Sequence, residues 1–196
     1  MAGKRAAPGG WDLPLSRTSG PFYRFHSRQH GAISFSKRAN HRWDDPLKEF
    51  GVLYAAERWD GAFVETVLHR PDQREIVRGD CVNLAVSHIR LKSEVLLVDV
   101  TDQKNLRKLG VDEELTKGPY SRSQALARQI YESDERIGGI LYKSKLAPPE
   151  CCVALFDFPE DQITVVDLGG LFDASNHGVL DTALHRFGVS LIEDGC

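Results

Sequence analysis

Residues 51–70 read GVLYAAERWDGAFVETVLHR, and this stretch contains the change of pattern that decides the fold. Residues 52–55 form a short apolar run with the β-branched and aromatic content of a strand. Asp60-Gly61 marks a turn, and over residues 60–69 the apolar side chains recur at helical spacing. The stretch therefore predicts a strand that leads directly into a helix.

Similar patterns continue on the C-terminal side of this unit. Further strands are predicted at residues 82–86, 95–100, 140–142, 152–156 and 163–168, and further helices at residues 123–132 and 179–186. Because these elements do not alternate as βαβ units, the sequence predicts an α+β fold, a single domain of mixed sheets with flanking helices. Residues 1–20 are rich in Gly, Pro, Ser and basic residues, which predicts a flexible N-terminal tail before a folded domain at 21–196.

Composition narrows the classes of function. The chain has 196 residues, of which 41% are hydrophobic and 27% charged, so it can bury the core of one domain. Its net charge of −3 argues against a general nucleic-acid binder. No apolar run is long enough to span a membrane, and no secretory signal opens the chain, so we expect a cytoplasmic protein.

Two arginines are candidates for binding an anion. Arg24 lies within the aromatic cluster of residues 22–25, where a charge is costly unless an anion or a carboxylate meets it. Arg42 lies in a polar stretch beside Trp43, and such a position favours a pre-positioned guanidinium. The alternatives are an internal ion pair for Arg24 and a surface cation stacked on the indole for Arg42.

Tyr54 and Glu65 are candidates for the reacting end of the same pocket. Their separation of 11 positions allows a strand end, a turn and one or two helical turns, which can bring both side chains together. A tyrosine ring suits a flat ligand ring, and a partly buried carboxylate suits the positive charge that develops on a sugar. The simpler alternatives are a core tyrosine and a solvated helical glutamate.

This residue set suggests a pocket for a dinucleotide such as NAD, used as a substrate. The sequence has no Rossmann or P-loop glycine fingerprint and no nucleophile elbow. His26 and His30 are four residues apart without an acidic partner, and the four cysteines form no C-x-x-C pair, so no metal site is predicted. Ser144 follows a predicted strand and by itself is a loop serine.

Taken together, these segments resemble the RES-domain family, which is named for its Arg, Glu and Ser. The resemblance runs from about Pro21 to Asp167. The segments that carry it are Phe22-Tyr-Arg24, Arg42-Trp43, Gly51-Val-Leu-Tyr54, Ala62-Phe-Val-Glu65-Thr, Ser123-Gln-Ala-Leu-Ala and Gly139-Ile-Leu-Tyr-Lys-Ser144. Lys143 stands before Ser144 where the family often has a proline.

The resemblance implies a fold related to ADP-ribosyltransferases and a toxin of a bacterial toxin–antitoxin pair that consumes NAD. It implies NAD hydrolysis, phosphorolysis or ADP-ribosyl transfer, without a metal. By the same resemblance Arg24 and Arg42 hold phosphates, Tyr54 packs on nicotinamide, Glu65 acts at the ribose and Ser144 orients the substrate. The implied partner is a helical DNA-binding antitoxin that covers the entrance of the site.

Some questions stay open at the level of sequence. A non-catalytic nucleotide- or protein-binding module on the same fold is the alternative to an enzyme. The acceptor of the ADP-ribose depends on loops such as residues 27–41, which do not align with the family. The sequence also leaves open whether the chain forms a homo-oligomer or only a toxin–antitoxin complex.

Overall fold

The computed structural model describes residues 13–68 and 70–193. Its strands are β1 (Leu15–Thr18), β2 (Phe22–Ser27), β3 (Val52–Ala56), β4 (Glu75–Val77), β5 (Leu84–Leu91), β6 (Val95–Asp99), β7 (Ile137–Lys143), β8 (Cys151–Phe156), β9 (Ile163–Gly170) and β10 (Ser190–Ile192). Its α-helices are α1 (Trp59–Val67), α2 (Arg78–Cys81), α3 (Gln103–Lys108), α4 (Glu114–Lys117), α5 (Tyr120–Ser133) and α6 (His177–Phe187).

Eight of the strands form one mixed sheet in the order β1-β6-β7-β8-β3-β2-β5-β9. Its neighbours pair antiparallel except β6 and β7, which are parallel and are joined through α3, α4 and α5. Strands β4 and β10 pair separately as a short parallel ribbon. The α+β prediction, with a mixed sheet and flanking helices, is confirmed.

The N-terminal boundary differs from the prediction. Residues 15–18 fall within the predicted tail, yet they form β1 and pair with β6, for example Leu15 opposite Val98. These few residues lack an apolar period that could identify them, because an edge strand buries only part of its surface. Residues 1–12 of the predicted tail lie outside the described residues.

Helix α1 packs closely under the sheet. Six of its nine residues are buried, and the Phe63 ring lies in an aromatic cluster, 5.4 Å from the centroid of Trp59 and 6.3 Å from that of Phe25. A Cβ at position 61 would lie 3.0 Å from the Cβ of Ala56 and 3.2 Å from that of Glu150, so glycine favours this close approach of helix to strand. This packing fixes where the remaining polar residues of α1 point.

Strands β2 and β3 are neighbours that scarcely pair. Tyr23 and Ala56 are their one registered pair, whereas β2 pairs with β5 over its full length. Past that pair, Val52 of β3 bridges instead to Ser36 in the preceding loop. The separation of these two central strands opens the sheet, and the candidate site lies at the opening.

Candidate functional site

A cavity of about 600 Å³ opens between β2, β3 and α1, within the size range of small-molecule sites. Of the five side chains predicted from the sequence, the cavity is lined by Arg24, Arg42, Tyr54 and Glu65. Ser144 lies directly behind Glu65, to which it is hydrogen-bonded. The fold therefore brings together residues that are up to 120 positions apart in the chain (from 24 to 144).

Glu65 is held by the loop that follows β7. The Ser144 hydroxyl donates to Glu65 Oε1 at 2.6 Å and itself accepts from the backbone N–H groups of Leu146 and Ala147. The backbone of this loop is closed by a bond from Ser144 N–H to the carbonyl of Glu150 at 2.9 Å. The serine is buried, so it orients the carboxylate from behind rather than facing the cavity.

The electrostatics of Glu65 are finely balanced. Solvent reaches it through the open cavity, but protein atoms surround it on most sides, and this desolvation raises its pKa above the usual value. The Ser144 hydrogen bond, the Arg42 guanidinium and the nearby His41 ring oppose that rise. The net result is a raised pKa for a carboxylate that lies against the protein on one side and is open to the cavity on the other.

Arg24 spans the gap between the separated strands. Its Nη1 donates to the backbone carbonyl of Tyr54 at 2.5 Å, while its buried Nε has no partner among the described residues. Burial lowers its pKa to about 10, so it is still charged at neutral pH. The alternative of an internal ion pair is not what is found, because no salt bridge joins Arg24 to a carboxylate in the part of the chain that the structure describes.

Arg42 is pre-positioned, but not by the neighbouring indole. Trp43 is fully buried, and the Arg42 guanidinium lies over the ring of Tyr120, 4.8 Å from its centroid. Its Nη1 donates to the carbonyls of Leu115 and Gly118 at 2.9 and 3.3 Å. The carbonyls at the end of α4 thus hold a cation at the rim of the cavity.

Tyr54 offers its ring and not its proton. Its hydroxyl donates to Asp44 Oδ1 at 2.8 Å and accepts from the backbone N–H of Trp43 at 3.0 Å. Burial and the adjacent Asp44 carboxylate raise the pKa of Tyr54 well above 10. The hydroxyl is thus already engaged on both sides, and the partly exposed ring is a surface on which a flat group can pack.

Asp44 is a residue that the sequence prediction missed. Its buried carboxylate accepts from Tyr54 and, through Oδ2, from the backbone N–H groups of Asn40 at 3.0 Å and His41 at 2.9 Å. It thereby joins the loop that carries Arg42 to the strand that carries Tyr54. Gln124 of α5 supports the same loop by donating to the His41 carbonyl at 2.9 Å.

We predict that Asp44→Asn lowers the free energy of unfolding by about 1–3 kcal/mol, because one carboxylate oxygen is replaced by an amide NH2 group that cannot accept a hydrogen bond. Urea unfolding of the variant measures the change. Asp72→Asn, at an exposed position, is the control and should be nearly neutral. A neutral Asp44→Asn would mean that the loop is held by other contacts.

The charge of the cavity is strongly one-sided. Glu65 is its one acidic residue within the described chain, whereas the basic residues that line it are Arg24, His41, Arg42, Lys143 and Lys145. Such a lining attracts an anion and leaves one carboxylate for a group that becomes positive. Tyr23, Tyr120 and Tyr142 add aromatic surface.

His41 and Tyr120 are further lining residues that were not predicted as part of the site. The position of His41 next to Arg42 was the one available signal, whereas Tyr120 gave none, because it lies far along the chain at the start of α5. No cluster of three or more metal-ligating side chains occurs among residues 13–68 and 70–193. Likewise, none of the helices in these ranges is long and apolar enough to cross a membrane.

Comparisons with known proteins agree with the resemblance seen in the sequence. The family model described as RES domain matches residues 15–174. Among solved structures, a chain of the M. tuberculosis MbcT–MbcA toxin–antitoxin complex is similar in fold, with a TM-score of 0.59 and 18% identity. The alignment covers 79% of this chain and 86% of that chain. No curated protein sequence matches significantly.

Proposed function

Because the chain belongs to the RES domain family, we propose that it is a toxin-type enzyme that cleaves the nicotinamide–ribose bond of NAD. The observation that carries the proposal is the convergence of Arg24, Arg42, Tyr54 and Glu65 on one cavity, with Ser144 bonded to Glu65. The similarity to a chain of a toxin–antitoxin complex supports the biological class.

The proposed roles follow from the chemistry of each side chain. Arg24 and Arg42 bind the diphosphate, for which guanidinium groups are well suited. The ring of Tyr54 packs against nicotinamide, and Glu65 faces the ribose that bears it. Ser144 is a positioning residue that keeps the Glu65 carboxylate in one orientation.

The reaction requires little covalent chemistry from the protein. The bond between the ribose C1′ and the nicotinamide nitrogen breaks, and its electron pair leaves with neutral nicotinamide. The positive charge that spreads over C1′ and the ring oxygen is stabilised by Glu65 until an acceptor donates an electron pair to C1′. Water, phosphate or a protein side chain would give hydrolysis, phosphorolysis or ADP-ribosyl transfer, and NAD is the substrate, with no metal needed.

The direct test incubates the purified protein with NAD, with and without phosphate, and separates free nicotinamide from the ADP-ribose product by chromatography. We expect nicotinamide release, and the mass of the second product identifies the acceptor. Binding of NAD without any nicotinamide release would instead support a non-catalytic nucleotide-binding module.

The pH dependence tests the link between Ser144 and Glu65. Because the Ser144 hydroxyl donates to the ionised carboxylate, it lowers the pKa of Glu65, and Ser144→Ala should raise that pKa further. Activity needs the anion, so the acidic limb of the rate–pH profile should move to higher pH in Ser144→Ala. Ser121→Ala, exposed at the start of α5, should leave the limb in place. If the acidic limb of the rate–pH profile did not move in Ser144→Ala, the positioning role of Ser144 would be rejected.

We also propose that the chain acts in the cytoplasm and is neutralised by a cognate helical DNA-binding antitoxin, in a toxin–antitoxin complex. The test is to express the chain alone and together with the product of the adjacent gene. Growth arrest that the neighbour relieves supports the pairing. Growth that is unaffected by the chain alone contradicts the toxin class.

A further inference from the structure

A second cavity of about 320 Å³ adjoins the first one. We call it the basic annex, after its basic lining residues: Arg24, His26, His30, Lys37, Arg38 and His41. It shares Arg24, Ser34, Ser36 and His41 with the larger cavity, so the two spaces meet along one wall. Most of the annex lies within the loop of residues 27–41, the segment that does not align with the family.

The annex has no acidic residue in its described lining. Lys37 is partly engaged, since its Nζ donates to the Glu49 carbonyl at 2.8 Å and lies 3.7 Å from Asp157. Arg38 is exposed, and its backbone N–H is anchored to Ser36 Oγ at 3.4 Å. Ser34 and the rings of His30 and His41 are further polar groups of the lining, whereas both ring nitrogens of His26 are already engaged with Ser27 and Ser87. In a chain of net charge −3, such a lining is suited to a multiply charged anion.

The position of Arg24 relates the annex to the proposed substrate. Glu65 and Tyr54 line only the larger cavity, whereas Arg24 lines both cavities. A dinucleotide whose nicotinamide ribose faces Glu65 and whose diphosphate meets Arg24 would therefore extend its adenosine half towards the annex. The next anionic group that a dinucleotide can carry in that direction is a phosphate on the adenosine ribose.

We propose that the basic annex binds a second phosphoryl group, the 2′-phosphate of NADP, and that NADP is therefore a substrate preferred over NAD. This inference rests on the proposed cleavage of the nicotinamide–ribose bond. Arg38 is the residue assigned to the 2′-phosphate, because its exposed guanidinium can form charge-assisted hydrogen bonds with phosphate oxygens.

Binding is tested first, without any turnover. Calorimetry should show that adenosine 2′,5′-bisphosphate binds about tenfold or more tightly than adenosine 5′-monophosphate. Charge-assisted hydrogen bonds to the additional phosphate account for a difference of that size. Arg38→Gln should reduce this ratio by about tenfold. Arg17→Gln, an exposed arginine of β1 at the far end of the sheet, is the matched control and should leave the ratio unchanged.

Kinetics give the second readout. The ratio of kcat/KM for NADP to that for NAD should exceed one in the wild type and fall by about tenfold in Arg38→Gln but not in Arg17→Gln. Tighter binding of the bisphosphate without cleavage of either dinucleotide would uphold the annex and reject the proposed enzymatic function.

Inorganic phosphate is the third ligand, because a free phosphoryl group shares the same chemistry. If phosphate binds with the same dependence on Arg38 while the bisphosphate shows no advantage over the monophosphate, the annex serves a free phosphate and the NADP proposal is overturned. If the bisphosphate and the monophosphate bind with equal affinity and inorganic phosphate does not bind, the proposal that the annex is an anion site is wrong.

Discussion

Glu65→Gln is expected to reduce the rate of nicotinamide release from NAD by roughly 100- to 1,000-fold. This is the loss that follows when an enzyme loses one preorganised group that stabilises the transition state electrostatically. The amide keeps the size of the side chain and can still accept the hydrogen bond from Ser144. The variant loses only the negative charge that stabilises the forming oxocarbenium ion. A spectrophotometric or chromatographic assay of nicotinamide at saturating NAD measures the effect.

The same variant should not lose stability. Because the raised pKa of Glu65 means that its ionised form is disfavoured in the native state, although solvent screens it through the cavity, a neutral amide should leave the free energy of unfolding unchanged or slightly higher. Glu57→Gln, an exposed position just before α1, is the control for both measurements. Wild-type turnover in Glu65→Gln would reject the assignment of Glu65 to the ribose.

Arg24→Met is expected to lower kcat/KM for NAD by at least about 100-fold while changing the free energy of unfolding by less than about 1 kcal/mol. The buried guanidinium has an unpartnered Nε and a pKa lowered to about 10, so its desolvation is poorly compensated in the protein alone. Methionine fills a similar volume without that cost. The bond to the Tyr54 carbonyl is lost in exchange.

Combined activity and unfolding measurements distinguish a ligand-binding arginine from a structural one. If Arg24→Met lost activity only because it unfolded, the denaturant midpoint would fall in parallel with kcat/KM. Arg90→Met, at an exposed position on β5, controls for the loss of positive charge at the sheet surface. A stable Arg24→Met with wild-type kcat/KM would remove Arg24 from the diphosphate site.

The regular elements with strong periodicity were predictable from the sequence. The strand predicted at residues 52–55 is β3, and the helix predicted at 60–69 is α1, each within two residues of its observed bounds. The predicted helices at 123–132 and 179–186 are α5 and α6. Each of these elements buries one or more apolar faces, which leaves a clear period in the chain.

Elements with little apolar period were not predicted. Strand β2 carries Arg24 and a histidine among its aromatic residues, and short elements such as β1, α3 and β10 are too brief to show a pattern. Their positions depend on partners distant in the chain, as when β10 pairs with β4. Tertiary contact, rather than local preference, creates such elements.

The residue types of the candidate site were available from the chain, but their arrangement was not. The two arginines, the tyrosine, the glutamate and the serine could be chosen from their sequence context and from the family that the chain resembles. That these five form one site depends on the separation of β2 from β3 and on the Ser144 loop reaching Glu65, contacts between segments 79 residues apart. The same tertiary arrangement recruits Asp44 and forms the basic annex.

The sequence by itself determined an α+β fold, its main helices and central strands, and the side chains with the chemistry to bind a dinucleotide, because each of these is a property of local pattern and residue type. Only the tertiary structure decided that β1 joins the sheet, that Arg42 rests on Tyr120 and not on Trp43, and that the Glu65 carboxylate is hydrogen-bonded to Ser144. The physical reason is that burial, desolvation and hydrogen-bond partners arise from segments far apart in the chain, and no local pattern encodes them.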